Sequence, residues 1–490
     1  MAESYNKSEI FKDMFESVLC EMSGEEKKYM IPFLKFLKKE YGSKIIVVSR
    51  YKEDAQHYKN IGVADYAHAL SEVQYQAPKE LDDEDIFKRG REIEQEYNTV
   101  LHYHLADYRF FHTASSHAPR GRIQKISQYP DLIYHLCQWY DFYERLIQQY
   151  KVTFVLGGMR QLDSVALKNN LPSWHLFYTL YLDTMLWTDR YLPDLSYLGE
   201  QWKDLKNSQK SELASRELSP PAFHLYIRKK ILSATSWPTA IWDSFCHSLR
   251  WVYGYYRGYD KVIHYGSSLY EKIRHNMYRV WVWILLKKLK PVSVSELKGK
   301  KFIFYPLQLE PETLQTVWSP EYFDQLSVIQ QLAKEMPPGY YLAVKEHVPA
   351  IGNRSIAFYE TITQMPNVVF LDPRERGLDV IHHAEAVATL AGRTGFEALI
   401  AGIPVISIAR RAWYEFLPHF YKIDNLATIK PTLQKVLSLT SEDKKSFKQD
   451  GLLLLEVLDK VTFDPEEMQF QDKFGERLTD KLFQAWQREN

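Results

Sequence analysis

Apolar and polar positions alternate along the second half of the chain in the way that α/β proteins show. Short apolar runs, each long enough for a buried strand, are separated by segments with apolar residues at helical spacing. The runs predicted as strands are 302–305, 340–344, 368–371, 386–390 and 405–408. The segments predicted as helices are about 321–335, 354–364, 377–383 and 395–401. This alternation predicts a doubly wound parallel sheet with helices on both faces.

The first half shows the same alternation less regularly. Apolar runs at 44–49 and 152–156 are predicted strands, and a pair of glycines follows the second run. Residues 7–40 and most of 173–300 carry apolar residues at helical spacing and are predicted to be helical. A second α/β domain with helix-rich insertions is therefore expected in this half.

Residues 386–408 contain the strongest local signal for a ligand. An apolar run leads into the glycine turn 391–395, and a helical segment follows, which Gly402 is placed to end. A helix N-terminus behind a glycine turn presents unpaired N–H groups and the positive end of a dipole, which suits a phosphate. Glu397 in the first turn could accept hydrogen bonds from a ribose. The alternative is an ordinary β-turn-α unit with Thr394 as its cap.

Composition narrows the classes of function. The chain has 490 residues, which favours two domains, and its apolar share of 45% can supply two cores. Lys plus Arg equals Asp plus Glu at 62 each, so no basic field for nucleic acid is present. The cysteines, Cys20, Cys137 and Cys246, show neither metal spacing nor a disulfide framework. The N-terminus lacks an apolar signal core and no run reaches membrane-spanning length, so the protein is expected in the cytoplasm.

Candidate general bases come from polar residues of the first half. Residues 102–122 hold four histidines, and Asp107 and His112 lie among them. No common zinc spacing is matched, and three interpretations stay open: a metal site, a segment lining an acceptor cleft, and a solvated segment. Asp163 follows the glycine pair after the strand at 152–156, and ligands bind beyond the carboxyl ends of parallel strands. Asp107, Asp163 and His112 are therefore the candidate bases.

The segment 279–290 combines tryptophans with lysines and an arginine. One hypothesis places it at a membrane surface, which would make the protein peripheral at the inner face. The other, which we favour, is a helix buried between domains with its lysines exposed. Residues 291–300 are predicted to link an N-terminal domain, 1–290, to a C-terminal domain, 301–425. Residues 426–490 are predicted as helices that could pack back on the N-terminal domain.

Four motifs, in this order, resemble a known family. They are "YPLQLEPE" after the first strand of the C-terminal domain, "VKEHVPAIGNR" after the second, "PNVVFLDP" at the third and "AVATLAGRTGFEALIAGIPVI" around the glycine turn. Together they resemble the capsule polysaccharide biosynthesis family, which includes the capsule β-Kdo transferases. The resemblance covers about residues 300–425.

This resemblance implies a GT-B-like architecture, in which two Rossmann-like domains with parallel sheets face a central cleft. It also implies a nucleotide-sugar-dependent glycosyltransferase that acts on a capsule-type polysaccharide or glycolipid acceptor without a metal cofactor. The nucleotide is left open among CMP, UDP and GDP. The donor-binding residues predicted from the motifs are Gln308, Glu310, Lys345, His347, Arg354, Arg393, Thr394, Gly395 and Glu397.

The basic residues of this set are predicted to stabilise the leaving group. Negative charge builds on the phosphate as the sugar departs, and Lys345, His347 or Arg354 with the helix N-terminus would stabilise it. Two rival functions stay open. One is a nucleotide-sugar 2-epimerase on the same fold, which transfers nothing to an acceptor. The other is a non-catalytic capsule assembly or export protein.

Overall fold

The structure of the chain is a computed structural model. It describes residues 7–22, 27–49, 52–73, 77–101, 129–181, 184–208, 236–256, 269–309, 325–409, 411–469 and 473–489.

The N-terminal half forms a sheet of six strands. Its strands are β1 (Ser17–Met22), β2 (Lys44–Ser49), β3 (Tyr66–Ala69), β4 (Phe154–Gly157), β5 (Ser173–Tyr178) and β6 (Met185–Thr188). The helices of this half are α1 (Lys7–Met14), α2 (Lys27–Tyr41), α3 (Lys52–Asn60), α4 (Asp83–Glu96), α5 (Tyr129–Tyr150), α6 (Arg160–Lys168), α7 (Ser196–Ser208) and α8 (Trp237–Tyr256). The strand order is β3-β2-β1-β4-β5-β6, and all neighbours are parallel except β5 and β6.

The second half forms another six-stranded sheet, in which every neighbouring pair is parallel. Its strands are β7 (Lys301–Pro306), β8 (Tyr340–Lys345), β9 (Val368–Leu371), β10 (Ala386–Thr389), β11 (Val405–Ser407) and β12 (Phe420–Lys422), in the order β12-β11-β10-β7-β8-β9. The remaining helices are α9 (Leu269–Lys288), α10 (Gln325–Glu335), α11 (Ile356–Gln364), α12 (Gly377–His383), α13 (Arg393–Ile400), α14 (Ile429–Leu437), α15 (Ser441–Val461), α16 (Pro465–Gln469) and α17 (Phe474–Glu489).

Both sheets bury apolar side chains on both faces, as strands with alternating side-chain directions require. On β7, Phe302 and Phe304 pack on one side with α13 and α15, while Ile303 and Tyr305 pack on the other with α9, α10 and α11. The first sheet is covered in the same way, by α1, α2 and α17 on one face and by α4, α5 and α6 on the other. The predicted pair of Rossmann-like α/β units is therefore confirmed.

The prediction of helices throughout residues 7–40 and most of 173–300 was wrong in three places. β1 is a buried strand that pairs with β2 and β4 at the centre of the first sheet. β5 and β6 lie in the segment that was predicted to be mostly helical. All three strands have four to six residues, and an apolar run of that length has the same composition in a buried strand and in a buried helix.

The packing of the helices before residue 290 divides between the two sheets. Trp202 of α7 donates from Nε1 to the carbonyl of Asp450 on α15 at 2.9 Å, and α9 buries Val282 and Leu286 against the second sheet. The C-terminal helix α17 crosses to the first sheet, where Leu478 accepts a bond of 3.2 Å from Trp187 of β6. The two α/β units are thus joined by helices from both halves, and the boundary at residue 290 stays a prediction.

Candidate active site

The carboxyl ends of β7, β8 and β10 carry most of the residues that the motifs singled out. β7 is the first strand of the second sheet, and the chain builds outward from it in both directions, to β8 and β9 and to β10 and β11. Open α/β sheets bind ligands in the crevice at such a switch point. The candidate site is therefore built from the loops that follow these three strands.

Gln308, just after β7, joins the β7 and β10 loops. Its Nε2 donates to Thr389 Oγ1 at 3.4 Å, and its backbone N–H donates to Gln325 Oε1 at 2.8 Å. Gly392 lies directly against it, because a Cβ at that position would be 2.8 Å from Gln308 Oε1. Glycine is thus required at position 392 by this close side-chain contact. The backbone does not require it, because a φ of −78° suits any residue.

A fully buried ion pair joins the β7 and β8 loops. Arg354, with no exposed side-chain surface, donates from Nη1 to both carboxylate oxygens of Glu346 at 2.7 Å. Its Nη2 donates to the carbonyl of Gln308. Glu346 also accepts a bond of 2.6 Å from the Tyr359 hydroxyl and one of 2.5 Å from the backbone N–H of His347. Burial and the charge of Glu346 raise the pKa of the Tyr359 hydroxyl well above its usual range, so the tyrosine stays a donor.

This network gives Arg354 a role different from the predicted phosphate contact. Its guanidinium is used inside the protein, and the side chain has no surface to offer a ligand. What it does instead is hold the Gln308 carbonyl and the loop of His347 in fixed positions. His347 itself is exposed at the start of a short helix, and the half-buried Lys345 donates to the Glu346 carbonyl at 3.3 Å.

The glycine turn places α13 with its N-terminus beside Gln308. Arg393 Nε donates to Glu397 Oε1 at 3.1 Å across one helical turn. Burial raises the pKa of the Glu397 carboxyl, and the charge and hydrogen bond of Arg393 partly oppose this. Arg393 Nη1 is a buried atom with no hydrogen-bond partner among the residues that the structure describes. The half-buried Thr394 follows, in the first turn of the helix.

Gly395 and Gly402 have structural roles. A Cβ at Gly395 would lie 2.8 Å from Thr389 Cγ2 and 3.0 Å from the Tyr414 hydroxyl, so glycine lets α13 pack against β10. Tyr414 also donates to the Gly392 carbonyl at 3.0 Å. Gly402, with φ of +76°, lies just past the end of α13 as predicted. These contacts fix the helix N-terminus and the Arg393 side chain at the end of β10.

The first sheet has its own switch point, between β1 and β4, and it carries a carboxylate that sequence analysis missed. Glu21 on β1 is 4% exposed. Its Oε2 accepts from the Tyr143 hydroxyl at 2.8 Å and from the backbone N–H of Met159 at 3.1 Å. A Cβ at Gly158 would be 3.1 Å from the same oxygen, so the glycine pair after β4 wraps around this carboxylate.

Asp163 lies farther along α6 and is turned toward β5. Its Oδ1 is 3.1 Å from His175 Nε2, and its Oδ2 accepts from the backbone N–H of Tyr191 at 3.2 Å. Ser173 Oγ is 3.0 Å from the same His175 nitrogen, so the three side chains do not form the relay of a nucleophilic triad. Asp163 also lines a pocket of about 230 Å³ together with Pro172 and Trp486.

Three predicted site residues, Asp107, His112 and Glu310, lie outside the described residues. Within the described ranges, His, Cys, Asp and Glu side chains form no group of three that could hold a metal ion. Metal independence stays a prediction.

Comparison with known families places this geometry in context. The family described as Capsule polysaccharide biosynthesis protein matches residues 252–417, about a third of the chain. The resemblance is confirmed over these residues. The matched part contains β7 to β11 and α13, and the residues described above after β7, β8 and β10 all lie within it. No curated protein matches the chain.

Three solved structures are similar at low identity to between 65% and 96% of the chain. KpsC of Thermosulfurimonas dismutans, a β-Kdo 2,7-transferase, is 13% identical, over 65% of this chain and 89% of its own, with a TM-score of 0.30. The calicheamicin glycosyltransferase CalG4 is 12% identical, over 96% and 98%, with a TM-score of 0.28. UDP-GlcNAc 2-epimerase of Methanocaldococcus jannaschii is 9% identical, over 91% and 99%, with a TM-score of 0.30. The fold assignment rests on the two sheets themselves.

Sequence analysis missed four residues that organise the second-sheet site. Glu346, Tyr359, Gln325 and Thr389 are all buried, and each hydrogen-bonds to a residue of another loop or helix. Glu346 stands between Lys345 and His347 in a motif that was quoted, so its position was available from the sequence. Nothing in the sequence distinguishes a buried carboxylate from a solvated one, and the contact with Arg354 is visible only in three dimensions.

Proposed function

We propose that the chain is a glycosyltransferase of a capsule-type pathway, which moves a sugar from a nucleotide-sugar donor to a glycan or glycolipid acceptor. The observation that carries this proposal is the meeting of three loops at the β7–β10 switch point. There the N-terminus of α13 and Arg393 Nη1, which has no hydrogen-bond partner among the described residues, form a seat of donors beside Gln308, within the residues that the capsule family matches.

In this proposal the second sheet holds the donor. The N–H groups at the start of α13 and the Arg393 guanidinium receive the phosphate oxygens, and Lys345 and His347 border the seat from the neighbouring strand. As the bond between the anomeric carbon and the phosphate oxygen breaks, charge collects on the phosphate and these donors stabilise it. Glu397 lies one turn along α13, where it can accept hydrogen bonds from the ribose.

The first sheet supplies the base for the acceptor. The acceptor hydroxyl forms the new bond to the anomeric carbon, and its proton passes to a carboxylate or imidazole. Glu21 joins Asp107, Asp163 and His112 as a candidate, because it lies at the carboxyl end of β1 beside the glycine turn of β4. Asp163 is the weaker candidate, since both of its oxygens are already engaged by His175 and the Tyr191 N–H.

A thermal-shift panel of CMP, UDP, GDP and their sugars tests the donor site. One nucleotide is expected to raise the melting temperature of the wild type, and Arg393→Ala and Glu397→Ala are expected to reduce that gain. Arg376→Ala, which removes an exposed arginine after the edge strand β9, two strands away from β7, is the matched control and should keep it. No shift with any nucleotide would overturn both enzyme proposals and favour the assembly or export role.

The configuration of the sugar at C2 distinguishes the transferase from the rival epimerase. The bound nucleotide-sugar is incubated with the protein alone, and the products are followed by NMR. A transferase leaves the C2 configuration of the sugar unchanged. Formation of the C2 epimer without an acceptor would favour the epimerase and contradict the transferase.

A further inference from the structure

Helix α8 exposes an apolar stripe along most of its length. Ile241, Trp242, Phe245 and Leu249 are 60%, 63%, 53% and 56% exposed, and Val252 and Tyr253 continue the row. These positions recur every three or four residues, so they share one face of the helix. Soluble proteins seldom leave so many large apolar side chains side by side in water, and such a patch indicates a binding surface.

The opposite face of α8 shows how the helix is held. Ala240 and Ser244 are buried, and Ser244 Oγ accepts a bond of 3.2 Å from Asn276 of α9. On α9, Val282 and Leu286 are buried against the second sheet. The outward stripe of α8 is therefore held on a helix pair that the folded domain anchors.

The end of α9, the helix on which α8 packs, also exposes apolar and basic side chains. Trp281 and Ile284 are 45% and 39% exposed, and Lys287 and Lys288 are exposed in the last turn. Among the described residues of the two helices, the exposed charged side chains are Arg250, Lys287 and Lys288, all basic, although the whole chain has no net charge. Tryptophans beside exposed lysines match the boundary of a bilayer, where the rings enter the interface and the amines meet phosphate headgroups.

We propose that the α8–α9 face docks on a membrane surface that contains anionic lipids. Within the described ranges no helix is long and apolar enough to cross a membrane, so this contact is interfacial. Sequence analysis favoured a buried helix for 279–290 and considered lipid contact only there, whereas the larger part of the exposed apolar surface is on α8. The periodic spacing on α8 is visible in the sequence, but core helices show the same spacing.

Vesicle co-sedimentation of the full chain, without any nucleotide, tests the proposal. The wild type is expected to pellet with vesicles of phosphatidylcholine and phosphatidylglycerol, and less with phosphatidylcholine alone or in high salt. Trp242→Glu with Leu249→Glu should lower the bound fraction by roughly tenfold, because the acidic groups resist entry into the interface. Leu426→Glu is the matched control: Leu426 is 52% exposed outside this helix pair, and its variant should bind like the wild type.

Further measurements test the charge dependence of membrane binding and whether a second copy of the chain covers the face. Lys287→Glu with Lys288→Glu should weaken binding to anionic vesicles more than to neutral ones. Wild-type protein that stays in the supernatant with every vesicle would overturn the proposal. A dimer seen by light scattering and lost in the Trp242/Leu249 variant would assign the face to a second copy. Unchanged melting temperatures are expected for these variants because the positions are exposed. The measurement needs no donor, so its failure and that of the proposed transferase are separate results.

Discussion

The two sheets organise their switch points differently. In the second sheet, buried side chains tie the loops to one another: Arg354 reaches both the β7 and the β8 loops, and Gln308 reaches β10. In the first sheet, the carboxylate at the switch point, Glu21, is held by a tyrosine and a backbone N–H. The arrangement in the second sheet suits a charged ligand that must be held in a fixed position. The arrangement in the first sheet suits a group that exchanges a proton.

Arg354→Met tests the buried ion pair of the second-sheet site and has the largest expected effect. The Glu346 carboxylate would stay buried without its ion partner, at a cost of about 3–5 kcal/mol in the free energy of unfolding. Urea unfolding measures it. The double variant Glu346→Gln/Arg354→Met should recover part of the loss, because no charge is then buried. Equal losses in the single and double variants would show that the pair is not coupled.

Glu21→Gln tests the first sheet. If Glu21 takes the acceptor proton, sugar transfer should fall about 10²–10⁴-fold while donor binding stays unchanged. Turnover and the nucleotide thermal shift are the two measurements. Asp163→Asn is the comparison, since it should act mainly on stability through His175 and Tyr191. Lost transfer in a stable Asp163→Asn protein, with Glu21→Gln active, would reverse the assignment.

His419 tests whether α13 is anchored by a neutral imidazole. The side chain is fully buried and its Nε2 bonds to the Leu399 carbonyl of α13 at 2.9 Å. Burial lowers the pKa of His419 from 6.5 to about 4, while its bond to Leu399 partly opposes the shift. The unfolded chain therefore takes up a proton first as the pH falls, and stability is lost between pH 6.5 and 4, by up to roughly 3 kcal/mol.

The pH dependence of unfolding measures this effect. His419→Gln should flatten the curve in that window, because glutamine does not titrate. His383→Gln, at an exposed position of α12, should leave the curve unchanged. Identical slopes for His419→Gln and the wild type would contradict the prediction.

Gly392→Ala has the smallest expected effect and is the most local. The added methyl group would meet the Gln308 side chain at under 3 Å, which should cost about 1–3 kcal/mol and weaken nucleotide binding. Gly377→Ala is the matched control, because nothing lies within 4 Å of a Cβ there. Thermal unfolding and the nucleotide shift compare the two variants. Normal nucleotide binding by Gly392→Ala would show that the Gln308 contact is dispensable.

Sequence analysis predicted the second half better than the first. The five predicted strands of the second sheet are all present, because each is bounded by helical segments or turns; only β12 was missed. In the first half β1 was taken for helix, so Glu21 was not considered. The predicted donor-side residues that the structure describes lie at or after the ends of β7, β8 and β10, because parallel strands bring their carboxyl ends together at one edge of the sheet.

The sequence alone determined that the chain is a two-unit α/β protein with its ligand signals after the strands of the second unit. Those properties follow from periodicity and order along the chain. Tertiary structure decided which side chains are accessible to a ligand or partner. Arg354 pairs with Glu346 and Asp163 hydrogen-bonds to His175, whereas the apolar stripe of α8 is exposed to water. Burial and pairing depend on contacts between residues far apart in sequence, and no local pattern encodes them.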